Sequence, residues 1–150
     1  MLRWHLGLIA VLVVLGLAGC VCGGGPARSD ISQLGVPAFQ GSSWTLIELE
    51  GTKIPQGTER VPYIQFNDDE EFVGMAGCNR MFGKYWVDAA SISFSDIGTT
   101  KMFCPAGMDI EGKMLEVLDS AAQFKLVADT LELLDDSSGQ LARFVAAGLE

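Results

Sequence analysis

Twelve residues, Gly74-Met75-Ala76-Gly77-Cys78-Asn79-Arg80-Met81-Phe82-Gly83-Lys84-Tyr85, constrain the fold more than any other part of the chain. Glycines at 74, 77 and 83 interrupt the run, and its flanks, Glu71-Phe72-Val73 and Lys84 to Val87, have the composition of strands. A glycine inside a strand pattern marks a bulge, a tight bend or a close approach of two backbones. The stretch therefore reads as two strands joined through a structural bend built on Gly74, Gly77, Asn79 and Gly83. Asn79 suits such a bend because asparagine tolerates the left-handed backbone. Cys78 sits at the bend, and Cys104 is the other cysteine in the globular part of the sequence. Met81 and Phe82, beside the glycines, are the candidate apolar contact surface.

Around this bend the chain reads as short strands. Trp44 to Leu49 is the first, with Trp44, Leu46 and Glu48 on one face, ended by Gly51 and Pro55-Gln56-Gly57. Pro62 to Phe66 alternates, Ile64 and Phe66 inward, and Asn67-Asp68-Asp69-Glu70 turns it into Glu71 to Ala76. That acidic run lacks the glycine and the spaced oxygens of a calcium loop and reads as a solvated turn. Lys84 to Asp88 and Ser91 to Ser95 form a further hairpin, in which Ile92 and Phe94 alternate with serines, the mark of a sheet with one dry face. A loop over 97–105 carries Cys104. The spacing of Ile110, Met114, Leu118 and Ala121 predicts a helix over 108–122, with Asp109 and Glu111 near its start, where the macrodipole favours acids. Strands at 124–127, 130–134 and 141–145 complete the pattern. Seven to eight short strands and one helix predict a mainly β, α+β fold. It is a small antiparallel β-barrel or strongly curled sheet, with the helix packed on or into one opening.

Ahead of this domain, which spans 42–150, lies an address. Arg3 precedes an apolar run from Leu6 to Leu17, the length of a signal-peptide core and too short to span a bilayer. The run ends in Leu17-Ala18-Gly19-Cys20, which resembles the lipobox of bacterial lipoproteins. By that resemblance residues 1–19 are a signal peptide and Cys20 becomes the lipidated N-terminus. Its acyl chains would anchor the protein without a basic patch. Residues 20–41 then form the lipidated cysteine and a Gly-, Ser- and Pro-rich flexible tether. By resemblance to Gram-negative lipoproteins, Val21 rather than aspartate implies the outer membrane, facing the periplasm; in a Gram-positive cell the anchor would hold the protein on the outer face of its only membrane. Cys22 is left over as an idle tether thiol, an extra acylation point or a route to a linked dimer, and the first is the favoured reading.

Charge and chemistry narrow the function. The 150 residues carry a formal charge of −9, and losing Arg3 with no acid takes it to −10. Such an acidic surface excludes nucleic acid as a partner, since phosphate binding needs clustered Lys and Arg. The single histidine, His5, lies in the signal peptide, so the mature chain has none. That removes Ser-His-Asp and Cys-His nucleophiles and histidine-rich zinc sites. No enzyme activity, metal or cofactor is expected. Cys78 and Cys104 allow a redox pair, a metal pair or a structural disulfide. The absence of Cys-x-x-Cys and the oxidising compartment favour the disulfide, worth roughly 3.5 kcal/mol in the chain-entropy model. Trp44 and Trp86 read as core or rim packing.

Gly77-Cys78-Asn79, Gly83-Lys84-Tyr85 and Thr99 to Pro105 (TTKMFCP), ahead of an acidic helix, resemble the META domain family of HslJ-like envelope proteins. The closing Leu131 to Asp135, Gly139 and Leu141-Ala142-Arg143-Phe144 resemble it too, so the likeness covers about residues 42–145. Where that family often has Thr-Arg-Met-Ala-Cys, Lys101 and Phe103 stand here. The resemblance implies a small barrel-like domain with one helix, often exported or lipid-anchored, without established catalytic residues. It also implies links to stress tolerance, and a likeness in fold to pilot lipoproteins. Two functions follow as expectations: a lipid-anchored stress or assembly factor that binds an envelope protein, or a carrier holding a lipid or apolar molecule inside the barrel. Large side chains filling the interior would favour the first.

Overall fold

The computed structural model describes residues 40–57 and 60–147. The strands, in chain order, are β1 (Ser43–Leu49), β2 (Thr52–Lys53), β3 (Tyr63–Phe66), β4 (Glu71–Met75), β5 (Arg80–Asp88) and β6 (Ser91–Thr99). The helix α1 (Met108–Ser120) follows, then β7 (Gln123–Val127), β8 (Thr130–Leu134) and β9 (Gln140–Ala146). Neighbouring strands pair antiparallel in sequence order, and β1 also pairs with β9, with Trp44 opposite Ala146 and Leu49 opposite Ala142. The sheet thus closes on itself as a ring of eight strands, and β2 is a two-residue hairpin arm on the far half of β1. Closure removes the open edges that an antiparallel sheet of short strands would otherwise expose.

The ring has one thin seam. β6 and β7 share a single residue pair, Ser91 with Gln123, flanked by backbone bonds from Phe124 N–H to the Ala90 carbonyl and from Ile92 N–H to the Ala122 carbonyl. Beyond that pair β6 runs on toward Thr99 without β7 beside it, and α1 packs against it there. Met114, Val117 and Leu118 are buried by this packing. The helix therefore completes the wall where strand pairing fails.

The interior is filled. Phe66, Phe72, Phe144, Leu46, Ile64 and Leu131 are all wholly inaccessible to solvent. The Phe66 ring meets Tyr85 edge-on at 4.7 Å between centroids, and Phe72 meets Phe94 at 5.4 Å. Such T-shaped pairs add to the area buried by each ring.

Three local expectations change. Glu48 does not join Trp44 and Leu46 inside, because the β1–β9 register shifts between Leu46 and Glu48 and turns Leu49 inward instead. A bulge inserts one residue and so reverses which face each later side chain takes. Glu48 instead bonds Arg143 and Gln140, and Arg143 also reaches Glu132. β6 continues to Thr99, so the expected loop over 97–105 is shorter. The helix ends at Ser120, two residues early, where the C-cap Ala121 is extended.

Tyr85 provides a test of the core. Its hydroxyl donates to the Asn67 carbonyl at 3.1 Å, and burial, then Glu70 and Asp68, raise its pKa above 10.0. The unfolded tyrosine ionises first as pH rises, so the native state binds more protons there and stability falls above about pH 10. Tyr85→Phe should cost about 1 kcal/mol at neutral pH. It should also flatten the alkaline decline in melting temperature, which thermal melts between pH 7 and 11 would read; an unchanged alkaline slope would count against a buried, neutral Tyr85.

Candidate functional site

The bend read from the sequence lies at one end of the barrel, against the start of α1. Gly77 has φ 152°, and a Cβ there would come 2.6 Å from the Gly107 carbonyl oxygen and 3.0 Å from the Glu111 nitrogen. Backbone thus rests directly on the first turn of the helix, in a conformation and a space that suit glycine alone. Gly74 has the same role within β4, where a Cβ would clash with the Tyr63 carbonyl, and Gly83 lies under the Phe72 ring. The Cys78 and Cys104 sulfurs are bonded, with Cα atoms 5.7 Å apart, tying the bend to the segment between β6 and α1.

Asn79 links three pieces of chain. Its Oδ1 accepts from Met102 N–H at 2.7 Å and from the Thr100 hydroxyl at 2.9 Å. Its Nδ2 donates to the Met102 carbonyl and to Glu111 Oε1, both at 3.0 Å. The Asn79 backbone N–H donates to Glu111 Oε2 at 2.7 Å. Sequence reasoning assigned Asn79 a left-handed backbone; the positive φ belongs to Gly77, and Asn79 acts through its side chain. Glu111 stands in the first turn of α1, as its place in the sequence predicts, and is buried there with its carboxylate satisfied by Asn79. Outside the ring of bonds, Arg60 Nη1 donates to the Cys78 carbonyl at 2.8 Å.

This clasp fixes what the loop exposes. Both backbone polar groups of Met102 are engaged by Asn79, so its side chain and that of Phe103 point outward, 53% and 83% exposed. Beside them a groove of about 650 Å³ is lined by Gly77, Pro105, Gly107 and Ile110. A second groove of about 520 Å³ is lined by Met75, Arg80 and Thr100. Arg60 and Met102 border both.

The expected contact pair separates. Met81 is buried, because β5 alternates and its methyl group takes up the space beside Gly74 that a side chain would have used. Phe82 is 52% exposed on the outer wall and lies over Gly98. Trp44 is in the core, whereas Trp86 faces out from β5. Sequence reasoning missed Met102, Phe103, Arg60 and the inward Glu111. Two large apolar residues directly before Cys104-Pro105, in a loop, were the available signal. Among the described residues no group of three or more His, Cys, Asp or Glu is placed to hold a metal. Cys20 and Cys22 lie outside the described residues.

Substitutions at four positions probe the clasp. Asn79→Ala leaves the Glu111 carboxylate and the Met102 backbone without their partners and should cost about 2–4 kcal/mol by urea denaturation. Gly77→Val should cost about 3 kcal/mol from strain and overlap, and an unchanged melting temperature would contradict the close approach to the helix. Cys78→Ser and Cys104→Ser should each lose roughly 3.5 kcal/mol. The double variant should be no worse than either single one, whereas additive losses would argue against a shared bond.

The fold recurs in solved structures. One protein solved by NMR has a TM-score of 0.63 at 23% identity, covering 75% of this chain and 95% of its own. An NMR structure from Burkholderia xenovorans matches with a TM-score of 0.60 at 24% identity, covering 78% and 86%. A crystal structure of a DUF4847 family protein from Bacteroides vulgatus matches with a TM-score of 0.54 at 14% identity, covering 73% and 94%. At these identities the likeness is one of fold. No curated protein matches the chain. The sequence model of the META domain matches residues 37–148, which takes in the whole barrel, the clasp and the helix. The chain belongs to the META domain family.

Proposed function

We propose that this META domain is a non-enzymatic, lipid-anchored envelope protein whose clasp end binds a protein partner, as a stress or assembly factor of the pilotin kind. The observation that carries this reading is the pair Met102 and Phe103, held outward by a satisfied and disulfide-tied backbone above a filled barrel. An apolar surface fixed in advance loses little entropy when it is covered. The filled interior weighs against the carrier alternative, because phenylalanine and leucine occupy the space a ligand would need.

Topology supports the same orientation. β1 begins at Ser43 opposite Gln65, beside the turn joining β3 to β4, while the clasp joins β4 to β5 at the other end of the barrel. A chain anchored through Cys20 in the outer membrane therefore reaches the domain at the end opposite the clasp. That leaves Met102 and Phe103 at the end of the domain away from its tether.

A photo-crosslinking residue at position 103, with one at the exposed Ser93 as control, tests this in cells. One envelope protein should be trapped from position 103 and not from 93. Adducts of equal pattern from both positions, or none, would count against a partner at the clasp. Cys20→Ala should move the protein from the membrane to the soluble fraction, and retention in membranes would refute the anchor.

A further inference from the structure

Resting on the reading of the clasp end as a partner-binding face, we propose that the partner presents an acidic peptide segment with an embedded apolar side chain. Its carboxylates pair with Arg60 and Arg80, and its apolar side chain fills the adjoining groove beside Met102 and Ile110.

Charge is distributed against the trend of the molecule here. The chain is acidic overall, at −9, yet two arginines and no carboxylate line the 520 Å³ groove. Lys101 is exposed next to them. Among the described residues, Arg143 is held by Glu48 and Glu132, and Lys113 lies 3.6 Å from Glu50, whereas Arg60 and Arg80 have no carboxylate partner. A guanidinium offers several N–H donors in one plane; Arg60 Nη1 is engaged by the Cys78 carbonyl at 2.8 Å and by Cys104 Sγ at 3.5 Å, which holds the group in place and leaves the Nε and Nη2 edge. What remains matches a carboxylate in geometry as well as sign.

The apolar half adjoins directly. The 650 Å³ groove shares Arg60 and Met102 with the charged one, so a single extended segment crossing Met102 meets cations on one side and Pro105, Gly107 and Ile110 on the other. Each groove is of the size that encloses one or two large side chains. The net negative field of the protein repels an acidic partner at long range but is screened beyond about 8 Å in physiological salt. Attraction is then confined to the register that puts carboxylates at the two arginines. A bilayer is the less suitable occupant, because the chain from Cys20 reaches the domain at the opposite end, beside Asp68, Asp69 and Glu70.

The test is a selection from a random peptide library on the full chain in mild detergent. The expected winners carry two or more acids flanking a large apolar residue. A synthetic winner should bind Arg80→Glu at least about tenfold more weakly, through the loss of one charge-assisted bond and the repulsion of the new carboxylate, and its binding to the unaltered chain should weaken with added salt. Arg80 has no side-chain hydrogen bond among those found in the fold, so this variant keeps the structure. Arg60→Gln should lose affinity in the same direction, with a melt to separate that loss from the Cys78 contact. Winners without acids, or acidic winners indifferent to Arg80→Glu, would overturn this inference and leave the partner reading standing. No enriched peptide, with binding instead to phosphatidylglycerol vesicles that Phe103→Ser abolishes, would overturn both and assign the face to the membrane. No enriched peptide and no vesicle binding would overturn the inference alone.

Discussion

The amide of Asn79 holds the structure together at the point where strand pairing gives out. Its four side-chain hydrogen bonds and the bond from its backbone N–H join the bend after β4, the segment after β6 and the first turn of α1. The seam between β6 and β7 rests on one residue pair, so the barrel closes only if the helix is delivered to that gap. The clasp delivers it, with Gly77 allowing contact at backbone distance and the disulfide shortening the search. A buried amide and carboxylate are costly if left unmet and strongly directional when satisfied. That makes this network a device for position more than for net stability.

Rigidity there has a consequence for binding. Loops with exposed aromatic residues ordinarily lose entropy when ordered by a partner. In this chain the loop backbone is already tied to Asn79 and to Cys78, so Phe103 stands outward on an ordered backbone. The filled interior turns the same argument outward. With phenylalanines and leucines occupying the barrel, its interior is packed with side chains and the apolar residues left over stand on its surface.

Alternation made most of the barrel legible. Ile64 and Phe66, and Ile92 and Phe94, each mark a strand with one dry face, and they stand where the pattern put them. Glu48 failed because a bulge changes the face without changing the composition, and nothing in Trp44 to Leu49 announces one. Met81 failed for a related reason: its place was decided by the space beside Gly74, on the neighbouring strand. Glu111 sits where a dipole-favoured surface acid would sit, and only the arrival of Asn79 distinguishes the two cases.

The sequence by itself determined the class of fold, the helix, the bend and the glycines that it needs, because these follow from periodicity and from backbone sterics within a few residues. It also marked Cys78 and Cys104 as the cysteines of the globular part. Tertiary structure alone decided that Asn79 works through its side chain, that Glu111 faces inward, and that Arg60, Arg80 and Phe103 share one end of the barrel. Those facts depend on contacts between residues distant in sequence, such as Asn79 with Met102, 23 positions away, and with Glu111, 32 positions away. Local pattern carries no record of which distant group will supply a hydrogen bond.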